Sequence, residues 1–279
     1  MIKFIFFLGV AVCGVSMNAQ AVEGPWISAD QMQARLISSS SSIGDIDTVD
    51  TALEIRLSPG WHSYWRSPGD SGLPPRFNWD ASENIEKAEV FFPAPKRFDE
   101  LGLTTFGYDG DLMLPMEISL KEPNKGAKLN MRLDTMVCRD ICIPQTLDLT
   151  MEIPAGDGAQ SKNVRLIDFA KTKIPQEKDT SNLKIENITV GPDAIVVNAY
   201  SQRGFDNSDI FVEVGEYSLT SKPDFTVPTD DSRRSMIVVP VSDIIKEEYG
   251  SSDIPYAGID ITVTLTNGRD AVEQTMVIK

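Results

Sequence analysis

The chain has 279 residues, with 26 lysines and arginines against 41 aspartates and glutamates, and a formal charge of -15 at pH 7. A surface this acidic repels phosphates, which makes the chain a poor candidate for binding nucleic acid or anionic membranes; it reads as a solvated, solubilising exterior. The length suggests two domains of ordinary size and is ample for a core that needs no cross-link to fold.

Met1-Ile2-Lys3, an apolar run from Phe4 to Val15 and the small-x-small site Ala19-Gln20-Ala21 describe a secretory signal peptide, cut after about Ala21. The run is too short to span a membrane, and nothing later is long enough, so no transmembrane segment is expected in the mature chain. Cys13 falls inside this leader, behind Val12 rather than the small residue of a lipoprotein signal. The expected product is exported and soluble, with Cys138 and Cys142 as its only cysteines.

From there the pattern is mostly period two, with β-branched and aromatic residues between Gly, Pro, Asn and Asp punctuation. It predicts strands at Gln33–Ser38, Asp50–Leu57, His62–Trp65, Glu89–Phe92, Leu112–Leu120, Lys128–Met136 and Leu147–Ile153. Pro154-Ala155-Gly156-Asp157-Gly158-Ala159 reads as a linker, Val164–Lys173 as a short helix stopped by Pro175. Strands resume at Leu183–Thr189, Ala194–Ser201, Ile210–Val214, Phe225–Val227 and Met236–Pro240, and Val241–Tyr249 reads as a second short helix. Ile259–Thr266 and Ala271–Ile278 flank Asn267-Gly268, a hairpin turn signal. The sum is an all-β protein of two tandem β-sandwiches: a leader at 1–21, a first domain at 22–158, a linker with a short helix at 159–180 and a second domain at 181–279.

The chemistry-bearing feature is Val137-Cys138-Arg139-Asp140-Ile141-Cys142. Along a straight strand the two cysteines would lie about 13 Å apart, so a bond between them requires the chain to turn at Arg139-Asp140-Ile141. Closing so short a loop stabilises a fold by only about 2 kcal/mol in the chain-entropy model, which makes the pair a badly placed staple and a well-placed reversible dithiol. A structural bond and a Cu(I) site remain as rivals; zinc would want four ligands, and the chain has one histidine, His62. Arg139 would lower a neighbouring thiol pKa and Asp140 would oppose it.

Three segments in the same order resemble the periplasmic N-terminal domain of DsbD-like thiol:disulfide interchange proteins, on the ScsB branch. They are Gly60-Trp61-His62-Ser63-Tyr64-Trp65-Arg66-Ser67-Pro68-Gly69-Asp70-Ser71-Gly72-Leu73-Pro74-Pro75, then Phe92-Pro93-Ala94-Pro95-Lys96-Arg97-Phe98 with Gly102–Gly110, then Val137–Pro144. The resemblance covers about residues 25–155 and implies an immunoglobulin-like sandwich that passes reducing equivalents. It implies that Cys138 and Cys142 are the redox pair and that Cys142 bonds to partners. It further implies a cap loop at Leu103–Asp109 with Phe106 or Tyr108 over the sulfurs; Arg139 and Asp140, singled out by their charge beside the pair, are the other supporting candidates. Periplasmic thioredoxin-like proteins would be the partners, a separate membrane protein of the DsbD or ScsB type the electron source, and no cofactor or metal is implied. Better-known members space their cysteines more widely, so partner preference does not transfer. The rival function is a Cu(I)-handling or chaperone-like binding protein.

Two further patterns point elsewhere. Gly69-Asp70-Ser71-Gly72 spells a serine-protease nucleophile motif, but the lone histidine lies too close in sequence to serve a triad, and the surroundings read as a loop. Trp61, Tyr64, Trp65 and Trp79 suggest a sugar platform less than they suggest core filling, and His62 reads as a surface or hydrogen-bonded residue rather than a ligand or base.

Overall fold

The computed structural model describes residues 22–100, 102–177, 179–249 and 256–278, so the leader and Cys13 lie outside the described residues. The first sandwich is built from β1 (Ile27–Ala29), β2 (Met32–Ser38), β3 (Thr48–Leu57), β4 (His62–Gly69), β5 (Arg76–Asn78), β6 (Ile85–Val90), β7 (Lys96–Glu100), β8 (Leu103–Asp109), β9 (Asp111–Leu120), β10 (Ala127–Cys138) and β11 (Cys142–Ile153). One sheet runs β1-β2-β3-β9-β6; the other runs β11-β10-β4-β8-β7, with β5 also paired to β10. All named pairings are antiparallel.

Period-two alternation builds the core between the sheets. Leu129, Met131, Leu133 and Val137 of β10 face Val49, Leu53 and Ile55 of β3 and Leu114, Met116 and Ile118 of β9, all buried in one cluster. Helix α1 (Val164–Lys171) covers part of the first sheet's other face, seating Ile167 against Ile37, Ala52 and Met113.

The second sandwich comprises β12 (Leu183–Val190), β13 (Ala194–Ser201), β14 (Ser208–Val214), β15 (Tyr217–Ser218), β16 (Asp224–Thr226), β17 (Arg234–Pro240), α2 (Asp243–Tyr249), β18 (Asp260–Asn267) and β19 (Asp270–Val277). Its sheets run β12-β13-β17-β16 and β15-β14-β18-β19.

The two sandwiches meet along β14, whose alternation serves two cores at once. Ile210, Val212 and Val214 point into the second sandwich, while Asp209, Phe211 and Glu213 point at the first. Phe211 belongs to the first sandwich's core cluster, edge-on to Phe106 with ring centroids 5.0 Å apart and to Trp65 at 5.9 Å. Arg97 forks onto Asp209, with both contacts at 3.1 Å, and also donates to the carbonyl of Ile210. Arg66 donates to Glu213 and Glu273, at 2.6 Å in each case. Burial alone would lower the Arg66 pKa, but hydrogen bonds and charge from Glu213 and Glu273 outweigh it and raise the value further above its usual one. Arg66 reaches these partners because β4 bulges. Tyr64 pairs with Gly107 and Gly69 with Thr105, so the intervening segment bows toward the second sandwich.

Two expectations shift. Leu103–Asp109, expected as a loop, is β8, an interior strand paired on both sides; its glycine disguises a strand whose backbone lies so close to β4 that a Cβ on Gly107 would meet the Ser63 carbonyl oxygen at 1.9 Å. The last hairpin turns one residue later than expected. Asn267 pairs with Asp270, leaving Gly268-Arg269 as the loop, and its side chain is buried, donating to Ser201 Oγ and the Gly204 carbonyl.

Candidate functional site: a cysteine pair at a hairpin tip

β10 and β11 pair without interruption from Ala127↔Ile153 to Cys138↔Cys142, and the chain reverses through Arg139-Asp140-Ile141. The turn is closed by the Arg139 amide donating to the Ile141 carbonyl at 3.1 Å. The reversal brings the cysteine Cα atoms to 4.1 Å, and the sulfurs are bonded. Paired residues project to the same face of a sheet, and residues two apart share that face.

Register therefore decides what surrounds the sulfurs. Cys138 pairs with His62, and β4 carries His62 and Tyr64 on that face; β8 places Gly107 and β7 places Phe98 there as well. The Tyr64 hydroxyl donates to Cys138 Sγ at 2.8 Å and lies 3.7 Å from Cys142 Sγ. His62 is buried rather than at the surface; it stacks on Phe98 with centroids 4.6 Å apart and meets Tyr64 edge-on at 5.5 Å. Phe106 and Tyr108 project to the opposite face, away from the pair. Phe106 packs on Phe211, and the Tyr108 hydroxyl donates to the Pro93 carbonyl at 2.7 Å. The aromatic ring that meets the sulfurs is Tyr64 of β4, a residue whose sequence context suggests core filling. Its signal lies in the two-residue spacing from His62, across from Cys138, and is invisible until register is known.

The supporting charges sit beside the pair rather than on it. Arg139 is bound to Asp140 at 2.9 Å, with its guanidinium 5.3 Å from the Trp61 ring centre. Gly69-Asp70-Ser71-Gly72 packs over Tyr64 from the side. A Cβ at Gly72, where φ is +96°, would stand 2.2 Å from Tyr64 Cε1. The protease-like motif is thus a loop that must come within touching distance of a ring. Trp61 and Trp65 are in the core, and Trp79 packs against it.

The two sulfurs are unequal. Cys138 is 2% exposed, whereas Cys142 is exposed and adjoins Ile141, which is 64% exposed. A partner can reach Cys142 and not Cys138. Such an arrangement permits attack at one sulfur with the other held ready as the resolving group.

Fold and site together define a pair of immunoglobulin-like sandwiches, the first bearing a disulfide across a hairpin tip. Residues 31–153 match the family described as "Thiol:disulfide interchange protein DsbD, N-terminal". Residues 173–279 match a family described only as a domain of unknown function. The crystal structure of the N-terminal periplasmic domain of ScsB from Proteus mirabilis aligns over 93% of this chain and 99% of that one, with a TM-score of 0.69 and 22% identity. That likeness is one of fold, and it extends across both sandwiches. A marsupial T cell receptor (8% identity, 89% of this chain and 62% of that one, TM-score 0.24) and murine CEACAM1b (11%, 88% and 98%, 0.19) also align, at scores that carry no argument. No curated protein matches the chain. No helix among the described residues is long and apolar enough to cross a membrane.

Proposed function

We propose that the chain is a periplasmic thiol–disulfide interchange protein that passes reducing equivalents through Cys138 and Cys142. The observation that carries this reading is the inequality of the two sulfurs, one exposed at a hairpin tip and the other buried beneath the Tyr64 hydroxyl. The family match over residues 31–153 supports the same chemistry, and the ScsB domain's description as periplasmic supports the compartment.

In the reduced protein the Cys142 thiolate attacks a partner's disulfide. One S–S bond forms between the proteins, the partner's own S–S bond breaks, and its departing sulfur takes up a proton. Cys138, losing its proton, then attacks Cys142 Sγ, restoring the intramolecular bond and releasing the partner with two thiols. Two electrons and two protons have moved, and the same steps reverse when the partner is the stronger reductant. Thioredoxin-like proteins are the proposed partners, with a membrane protein of the DsbD or ScsB type as the proposed donor. Tyr64 is the proposed cover of the site, and Arg139 and Asp140 shape the turn.

The test is trapping. Reduced Cys138→Ser protein, mixed with an oxidised thioredoxin-like protein, should accumulate a mixed disulfide at Cys142, while Cys142→Ser should accumulate none. If neither variant traps a partner, exchange is the wrong function; stoichiometric Cu(I) retention lost on removing both cysteines would then mark a copper-handling module.

A further inference from the structure

The segment from Tyr64 to Gly72 touches the sulfurs at one edge and the second sandwich along the other. Its first residue donates to Cys138 Sγ, and its last leans on the Tyr64 ring. Between them, Arg66 is held by Glu213 and Glu273, and the Ser67 hydroxyl meets that of Ser218. Asp70 is fixed from two directions. It exchanges hydrogen bonds with Thr104, whose amide donates to Asp70 Oδ2 at 2.8 Å while the Asp70 amide donates to the Thr104 carbonyl at 2.9 Å. Its remaining oxygen, Oδ1, accepts from Thr220 Oγ1 of the second sandwich at 2.6 Å. Thr220 is itself anchored, since its carbonyl accepts from Arg97 at 3.3 Å.

We propose that the second sandwich controls access to Cys138, with Thr220 as a positioning residue that latches Asp70 and so holds the Gly69–Gly72 loop against Tyr64. This role rests on the exchange function proposed for the cysteine pair and gives residues 181–279 a part in it. The physical basis is that the loop carries two positive-φ glycines, at Gly69 and Gly72. It is therefore free to take other backbone conformations unless something outside it selects one. The pair of hydrogen bonds exchanged with Thr104 fixes the loop's root; the hydroxyl of Thr220 and the Ser67–Ser218 contact tie it to the second sandwich. With the latch closed, Tyr64 cannot swing and Cys138 stays covered; with it open, Tyr64 gains room and the buried sulfur is uncovered.

The experiment uses the full chain in two single-cysteine backgrounds and N-ethylmaleimide as the probe, so no partner protein is needed. In the Cys142→Ser background, Thr220→Val should raise the rate of Cys138 alkylation about fivefold, the population change that one hydrogen bond of ordinary net strength can carry. Thr220→Ser, which keeps the hydroxyl, should leave it at the parent rate. In the Cys138→Ser background, Cys142 is already exposed, and Thr220→Val should not change its rate. Ser218→Ala is the second variant and should move Cys138 in the same direction. Cys138 unmoved in both variants overturns the proposal. So does equal acceleration by Thr220→Ser and Thr220→Val, or equal acceleration of Cys142, which would mean general loosening. Because alkylation needs no exchange partner, failure of mixed-disulfide trapping and failure of the latch are separate outcomes.

Discussion

Tyr64 shows how a residue's job follows from the face it lands on. Its neighbours Ser63 and Trp65 turn to the core side, while Tyr64 and His62 lie with the sulfurs. Sequence alone made the cysteines and their bend legible, because four residues of strand cannot be bridged without a turn. It did not reveal which aromatic covers them, since a one-residue change of register exchanges the two faces. Gly72 offers a sharp test at this scale. An alanine there combines a positive φ of +96° with a Cβ 2.2 Å from the Tyr64 ring. Gly72→Ala should therefore cost about 1–3 kcal/mol in urea unfolding, through backbone strain and a displaced ring. Tyr108 offers another. Burial raises its pKa well above the usual value, so the folded protein keeps a proton that the unfolded chain releases above about pH 10. Stability should fall with rising pH there, by up to about 1.4 kcal/mol per unit, and Tyr108→Phe should remove this component of the slope. Unfolding measured between pH 9 and about 11 checks it.

The hairpin of β10 and β11 is the element that carries the candidate chemistry, yet its stability lies elsewhere. Twelve residue pairs run along it before the turn, and its odd-numbered β10 positions are buried against the opposing sheet. The cross-link at the end closes a loop too short to contribute more than about 2 kcal/mol. Cys138→Ser with Cys142→Ser should accordingly lower stability by about 2 kcal/mol or less, whereas Leu133→Ala, deep in the hairpin's core face, should cost about 2–5 kcal/mol. Equilibrium denaturation of both variants decides between a redox ornament on a stable strand pair and a structural staple. Most strands were legible from alternation, as at Ala194–Ser201, where expectation and structure coincide. Those that escaped, such as Lys96–Glu100 and Leu103–Asp109, carry charge or glycine where a tight approach or a partner outside the sandwich supplies the reason. The final turn slipped by one residue because Asn267 is recruited inward to Ser201 and Gly204 instead of serving the loop.

At the scale of the whole molecule, the junction is centred on a stripe of three side chains on one strand, Asp209, Phe211 and Glu213, set against Arg97, Phe106 with Trp65, and Arg66, with Glu273, Ser218 and Thr220 flanking it. A strand at Ile210–Val214 was readable in the sequence, but not what its outward face meets. Only the fold reveals the arginines waiting opposite. Phe211→Ala should cost about 3–5 kcal/mol, the range for emptying a buried aromatic site. It should also split a single calorimetric transition into two, because the sandwiches would then melt independently. One melting step in that variant would count against the junction as the source of cooperativity.

Phe211 has a bearing on biosynthesis. The N-terminal half of the polypeptide is made before the ring that completes its interior exists. Until synthesis runs past Phe211, Phe106 and Trp65 border an unfilled hollow, and the half-made chain presents it to whatever is nearby. Fragments ending near residue 180, which keep α1, should then be sticky in proportion to that hollow, and a phenylalanine-bearing peptide copied from Ser208–Val214 should quiet them.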